Sequence, residues 1–151
     1  MEGQMPVLRV QFLPGQEDLG VPTYATAGSA GLDLRAALAE PFVLAPGERT
    51  MMPTGLKMAV PEGYEGCVRP RSGLAAKHGI AIVNAPGTID SDYRGEVKVL
   101  LINLGKDSVT LNRGDRIAQL LIQPVAHVTV TAAECLDDTS RGEGGFGHTG
   151  R

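Results

Sequence analysis

The chain has 151 residues and a formal net charge of −3, which fits one domain with a modest core and argues against a general binder of nucleic acid or anionic membranes. Its 20 glycines and 10 prolines separate short apolar runs without a fixed period, and no long amphipathic pattern is visible, so an all-β fold of many short strands is expected. Cys67 and Cys135, the 2 cysteines, make neither a disulfide framework nor a metal-ligand spacing. No apolar run approaches the ~20 residues of a membrane span and the N-terminus carries no signal pattern, so a cytoplasmic protein is expected.

Leu8 to Phe12 alternates and reads as a strand. Leu13 to Thr26 is turn-rich. The small residues Ala27 to Gly31 suit close backbone approach. They lead into an alternating strand in which Leu32 and Leu34 face inward and Asp33 and Arg35 face outward as a surface pair. Phe42 to Leu44 and Leu56 to Val60 read as further strands, the second stopped by Pro61, and Tyr64 to Arg69 as framework. Residues 72–78 form the one expected helix, with Ser72 as N-cap, Lys77 and His78 at its C-terminal end, and Gly79 just beyond. Its first turn offers free amides beside Arg71 and Ser72, a place for an anion. His78 reads as a helix-end cation or a core residue.

Two apolar runs, Ile80 to Val83 and Val97 to Ile102, bracket a polar excursion with turn signals at Pro86-Gly87 and Arg94-Gly95. Extended alternation puts Thr88, Asp90 and Asp92 on one face and Ile89, Ser91 and Tyr93 on the other. An amide-rich hairpin with Asn84 at its base can read a flat heterocycle, Tyr93 can pack on a sugar, and Asp90 can hold a water. Val109 to Leu111 leads into the turn Asn112 to Asp115, and then a buried strand Arg116 to Ile122. Gln119 is the oddity within it, a large amide that needs partners. Residues 116 and 119 differ in parity, so a bulge is expected near Arg116. Val128 to Thr131 reads as a last strand. From Asp137 onward the composition cannot pack a core. Its Arg141 and glycines can fold into a nest of amides around phosphate, and Phe146 stands there as a lone exposed aromatic.

Five blocks in this order resemble the signature motifs of the trimeric dUTP pyrophosphatases (dUTPases): Ala27 to Arg35, Pro70 to Gly79, Gly87 to Gly95, Arg113 to Gln119, and Arg141 to Arg151. The second, third and fifth are the specific ones. The resemblance implies a single-domain jelly-roll-like β-barrel or sandwich over 1–136, with a mobile glycine-rich C-terminal lid over 137–151. It implies Mg²⁺-dependent hydrolysis of dUTP to dUMP and pyrophosphate by water attack on the α-phosphorus, limiting uracil incorporation into DNA and supplying dUMP. Asp90 and Gln119 would be catalytic. Arg71, Ser72, Gly73 and Arg141 would meet the phosphates. Asn84, Gly87, Thr88, Ile89, Tyr93 and Lys98, with Gly145, Phe146 and Gly147 of the lid, would complete the substrate contacts. Arg116 would support the site, and Asp33 would help hold Mg²⁺ through water. The family often carries Ser or Thr where His148 stands, which leaves that contact to Thr149. One chain does not obviously unite five motifs; the family's solution is a homotrimer with sites shared between subunits, binding neither nucleic acid nor membrane. Two rivals are a dCTP deaminase relative, which needs a Glu in the strand after the hairpin, and a non-catalytic nucleotide-sensing trimer.

Overall fold

The computed structural model describes residues 5–148. Among them the chain forms β1 (Arg9–Phe12), β2 (Leu32–Arg35), β3 (Phe42–Leu44), β4 (Arg49–Ala59), β5 (Tyr64–Arg69), α1 (Ser72–His78), β6 (Ile80–Ile82), β7 (Gly87–Ile89), β8 (Glu96–Asn103), β9 (Val109–Leu111) and β10 (Arg116–Pro124). The strands make two four-stranded sheets, ordered β1-β4-β8-β6 and β2-β10-β5-β7, and a two-stranded ribbon β3-β9. Every pairing is antiparallel. The result is an open sandwich; no closed barrel forms among the described residues.

Alternation explains the packing. In β8 the odd positions Val97, Val99 and Leu101 are buried, while Glu96, Lys98 and Leu100 turn outward. They meet Leu34 of β2, Leu44 of β3, Met52 of β4 and Leu120 of β10, all at most 1% exposed. Each such side chain contributes about 1.5–3 kcal/mol by leaving water. The buried amide of Asn103 is fully used. It donates to the carbonyls of Leu44 at 2.9 Å and Asp107 at 2.8 Å, and accepts from the Gly105 N–H, tying the end of β8 to β3.

The expected strand at Leu56 is the second half of β4, which starts at Arg49. Pro53 and Gly55 look like breakers in sequence. The fold absorbs them as an irregularity between Pro53 and Lys57, with Gly55 at φ 69° and its N–H donating to the Glu96 carboxylate at 3.0 Å. The helix occupies 72–78 as expected, but Arg71, at φ −87° and ψ 126°, holds the N-cap position and no side chain caps it. Ser72 is instead the first helical residue. Gly79 ends the helix at φ 70° and approaches the backbone of Gly105 so closely that a Cβ would collide.

The excursion between β6 and β8 is more than a hairpin. The two flanking strands do pair, Ala81 opposite Ile102. Between them, however, β7 crosses to the other sheet and pairs with β5, Thr88 opposite Cys67. Gly87 lies in that strand instead of a turn, and the extended alternation stops at Asp90, where a turn closes with the Tyr93 N–H on the Asp90 carbonyl at 3.1 Å. Asp90 and Asp92 therefore do not share a strand face. The strand expected at Val128 to Thr131 is absent. From Val125 to His148 no helix or strand forms, and Val128 and Val130 stand 77% and 88% exposed, because no strand among the described residues pairs with them.

Candidate active site

The residues of interest fall into three groups. The first lines a cleft of about 400 Å³ between the crossing segment and the outer face of β8. Asn84, Thr88, Ile89, Asp90, Tyr93 and Lys98 line it; of the expected substrate contacts on this segment only the buried Gly87 does not. β7 positions Thr88 and Ile89, and the turn after it aims Asp90. Tyr93 is pinned: its hydroxyl donates to the Glu96 carbonyl at 3.0 Å. Gly95 permits this, since a Cβ there would occupy the space of the phenol oxygen.

Sequence reasoning missed Met51, Glu96, Val97 and Leu100 in this cleft. Met51 was hidden in the half-strand before Pro53; it sits opposite Leu100 in the β4-β8 register. Glu96 bears on the deaminase alternative. It is the first residue of β8, the strand after the crossing segment, so a glutamate does stand in the strand where a deaminase relative needs one. Its carboxylate is held as structure, accepting from the Gly55 N–H and lying 3.6 Å from the Lys98 ammonium.

The second group surrounds Asp33. Far from facing outward in a surface pair with Arg35, Asp33 is buried at 8% exposure. Its Oδ2 accepts from Arg116 Nη1 at 3.2 Å, and its Oδ1 lies 3.4 Å from Arg71 Nε. Arg71 also donates to the Arg116 carbonyl at 3.2 Å. The sheet face does point away from the core, but two arginines from distant segments cover it. Arg35 instead donates to the Gly114 carbonyl at 2.9 Å. The expected irregularity is present, a register shift between Arg116 and Ala118. It brings Gln119 directly opposite Asp33 on one side and Arg69 on the other, so its side chain shares their face. Gln119 is partly buried, which removes the difficulty of an amide within the core. Ser72 and Gly73 follow Arg71 in the first turn of α1.

The third group is the C-terminal segment. Arg141 Nε donates to the Gly144 carbonyl at 2.7 Å, and the Gly142 N–H to Thr139. Gly142, Phe146 and Gly147 all have positive φ, which curls the chain into a series of turns. Phe146 is fully exposed and Gly145 partly buried. Thr149 lies outside the described residues. Neither Arg71, Asp33 nor Gln119, nor any residue of this segment, lines the cleft of the first group.

Among the described residues the clear electrostatic perturbation is a mutual one between Arg113 and Asp18, away from these three groups. Arg113 donates to both carboxylate oxygens of Asp18 and to Gln16 at 2.9 Å. The hydrogen bond from Arg113 lowers the Asp18 carboxyl below its ordinary value, against the opposing effect of desolvation. This clamp fastens the segment around residue 16 to the turn before β10.

The dUTPase family model matches residues 17–150. The chain belongs to the dUTPase family. It is 55% identical over 147 residues to the deoxyuridine 5'-triphosphate nucleotidohydrolase of Rhizobium etli, covering 96% of this chain and 94% of that one. Among solved structures it is similar to a variant dUTPase of phage 80alpha, with a TM-score of 0.83 at 27% identity, covering 98% of this chain and 99% of that one. A variant dUTPase of phage phi11 of S. aureus, described with a structural Mg(II) ion, matches at a TM-score of 0.76 and 25% identity, over 85% of this chain and 97% of that one. The family membership makes the chain an enzyme that hydrolyses dUTP, and it decides against the deaminase and the non-catalytic trimer. No helix among the described residues is long and apolar enough to cross a membrane.

Proposed function

We propose that this dUTPase-family enzyme hydrolyses dUTP to dUMP and pyrophosphate in a site completed by neighbouring copies in a homotrimer, with the cleft beside Asp90 as base and sugar pocket. One observation carries the reading. The cleft gathers Asn84, Asp90 and Tyr93 in one place, while the phosphate-binding candidates Arg71 and Arg141 lie in other regions of the same chain. A triphosphate needs both sets at once, so a second and third copy must supply the missing groups.

Within that assembly Asp90 orients the attacking water and takes its proton, and Gln119 helps hold the water. Asn84 and the amides of Gly87 and Ile89 bond uracil, leaving no room for the methyl of thymine. Tyr93, fixed by its bond to the Glu96 carbonyl, crowds a 2′-OH and rejects UTP. Arg71, the amides of Ser72 and Gly73, and Arg141 neutralise the phosphates. Lys98 adds a cation at the cleft edge. Residues 137–151 close over the substrate, with Phe146 on the base and the Gly145-Gly147 backbone on the phosphates, and shut out bulk water. A cytoplasmic location completes the proposal.

Mg²⁺ fits this chain only as an outer-sphere guest. No cluster of three or more His, Cys, Asp and Glu among the described residues is placed to hold a metal, which suits an ion that keeps its waters and binds through substrate phosphates. Asp33 Oδ1 is buried and accepts no hydrogen bond, and so could take one from a metal-bound water. When bound, the ion neutralises phosphate charge.

Pyrophosphate release from a panel of deoxynucleoside triphosphates tests the reading. Turnover is expected with dUTP alone, and a loss of about 100-fold or more in Asp90→Asn. Full turnover by that variant would remove Asp90 from catalysis.

A further inference from the structure

A second cavity, of about 380 Å³, lies on the outer face of the β1-β4-β8-β6 sheet. Cross-strand partners share a face of a sheet. Gln11 is opposite Lys57, Arg9 opposite Ala59, and Lys57 opposite Glu96. Arg9, Gln11 and Lys57 therefore stand on the same outward face as Glu96 and Lys98 of the substrate cleft. Arg94 completes the wall. It follows Tyr93 in the chain, so the catalytic turn divides the two cavities: Tyr93 lines one and Arg94 the other.

Among the described residues, three cations line the second cavity and no carboxylate does, which makes its lining positively charged. The ion pairs among the described residues all lie elsewhere. Glu96, the acid in register with Lys57, is turned toward the Gly55 N–H and Lys98. Gln11 adds an amide donor. Arg94 uses only Nη1 internally, donating to the carbonyls of Ser91 at 2.7 Å and Tyr93 at 2.8 Å. Its Nε and Nη2 are left to meet a ligand, and a guanidinium fork suits phosphate oxygens.

We propose that Arg9, Lys57 and Arg94 form a binding site for a small phosphate anion on the back of the catalytic turn, separate from the substrate pocket. The same guanidinium that meets the anion holds two carbonyls of the turn that aims Asp90 and Tyr93. Occupancy therefore biases the conformation of that turn and reaches the reaction without touching dUTP.

Calorimetric titration of the full chain with inorganic phosphate, and separately with inorganic pyrophosphate, tests this. Binding of at least one anion is expected to survive in Arg71→Ala and to weaken about ten-fold or more in Arg9→Gln/Lys57→Gln. Tighter phosphate binding at this site identifies the free ion as the occupant, and tighter pyrophosphate binding identifies the reaction's own product. The exposed single change Arg9→Gln, with an unaltered melting temperature, is expected to give an intermediate loss. The basal turnover of the double variant is expected to match the parent, while the response of kcat at saturating dUTP to added anion disappears. Binding unchanged in the double variant, binding abolished by Arg71→Ala, or no binding of either anion to the parent chain would each overturn the proposal.

Discussion

Replacing Asp33 by Asn tests whether one buried carboxylate organises the Arg71 and Arg116 side chains. Asp33 has 10% of its side chain exposed and faces two guanidiniums, at 3.2 Å from Arg116 and 3.4 Å from Arg71. Breaking a fully buried pair costs about 3–5 kcal/mol. Here the arginine side chains are 24% and 45% exposed, so water takes over part of their solvation and the loss is discounted to about 1–2 kcal/mol. For a chain of this length that corresponds to a fall in Tm of about 2–8 °C. The assay is calorimetry at fixed protein concentration, without nucleotide or Mg²⁺, so that ligand linkage does not enter. A double-mutant cycle with Arg116→Ala isolates the pair, with an expected coupling of about 0.5 kcal/mol or more. A Tm within about 1 °C of the parent, together with additive effects, would refute the assignment and return Asp33 to the solvated surface pair first read from the sequence.

Tyr93→Ala is expected to raise kcat/KM for UTP relative to dUTP by about ten-fold or more, the scale of a steric exclusion worth 1–3 kcal/mol; unchanged discrimination would take Tyr93 out of that role. The Asp18 carboxyl, titrated by NMR, is expected to have its midpoint below the ordinary aspartate value of 3.8, and to rise toward it in Arg113→Ala. The sign follows from the lowered folded value. The clamp's contribution to stability is complete above 3.8 and is lost as pH falls through the lower folded midpoint. A midpoint at or above 3.8 in the parent chain would contradict it.

Local chemistry was legible in the sequence and long-range pairing was not. The stop of α1 at Gly79 and the irregularity after Arg116 follow from backbone preference and parity, both read within a few residues. The gathering of Asn84, Thr88, Ile89, Asp90 and Tyr93 was legible too, because they sit on one short segment that lines one cleft. The path of that segment was not, because β7 pairs with β5 in the other sheet instead of with its neighbours. Asp33 was misread for the same reason: alternation correctly turned it away from the core, but the arginines that bury it arrive from α1 and β10. Pro53 and Gly55 concealed half of β4, and with it Met51. Val128 to Thr131 has a strand's alternation and no partner strand among the described residues.

The central claim is that each site is assembled from several chains, and co-refolding two inactive variants tests it most directly. One variant carries Asp90→Asn; the other lacks residues 141–151. Each variant alone is expected to be nearly inactive, the truncated one with a Tm close to the parent's, since residues 141–148 bury almost nothing. Mixed trimers are expected to recover activity, because some of their sites combine an intact Asp90 from one chain with an intact C-terminal segment from another. No recovery from a mixture shown by mass to contain mixed trimers would contradict the shared site and confine the reaction to single chains.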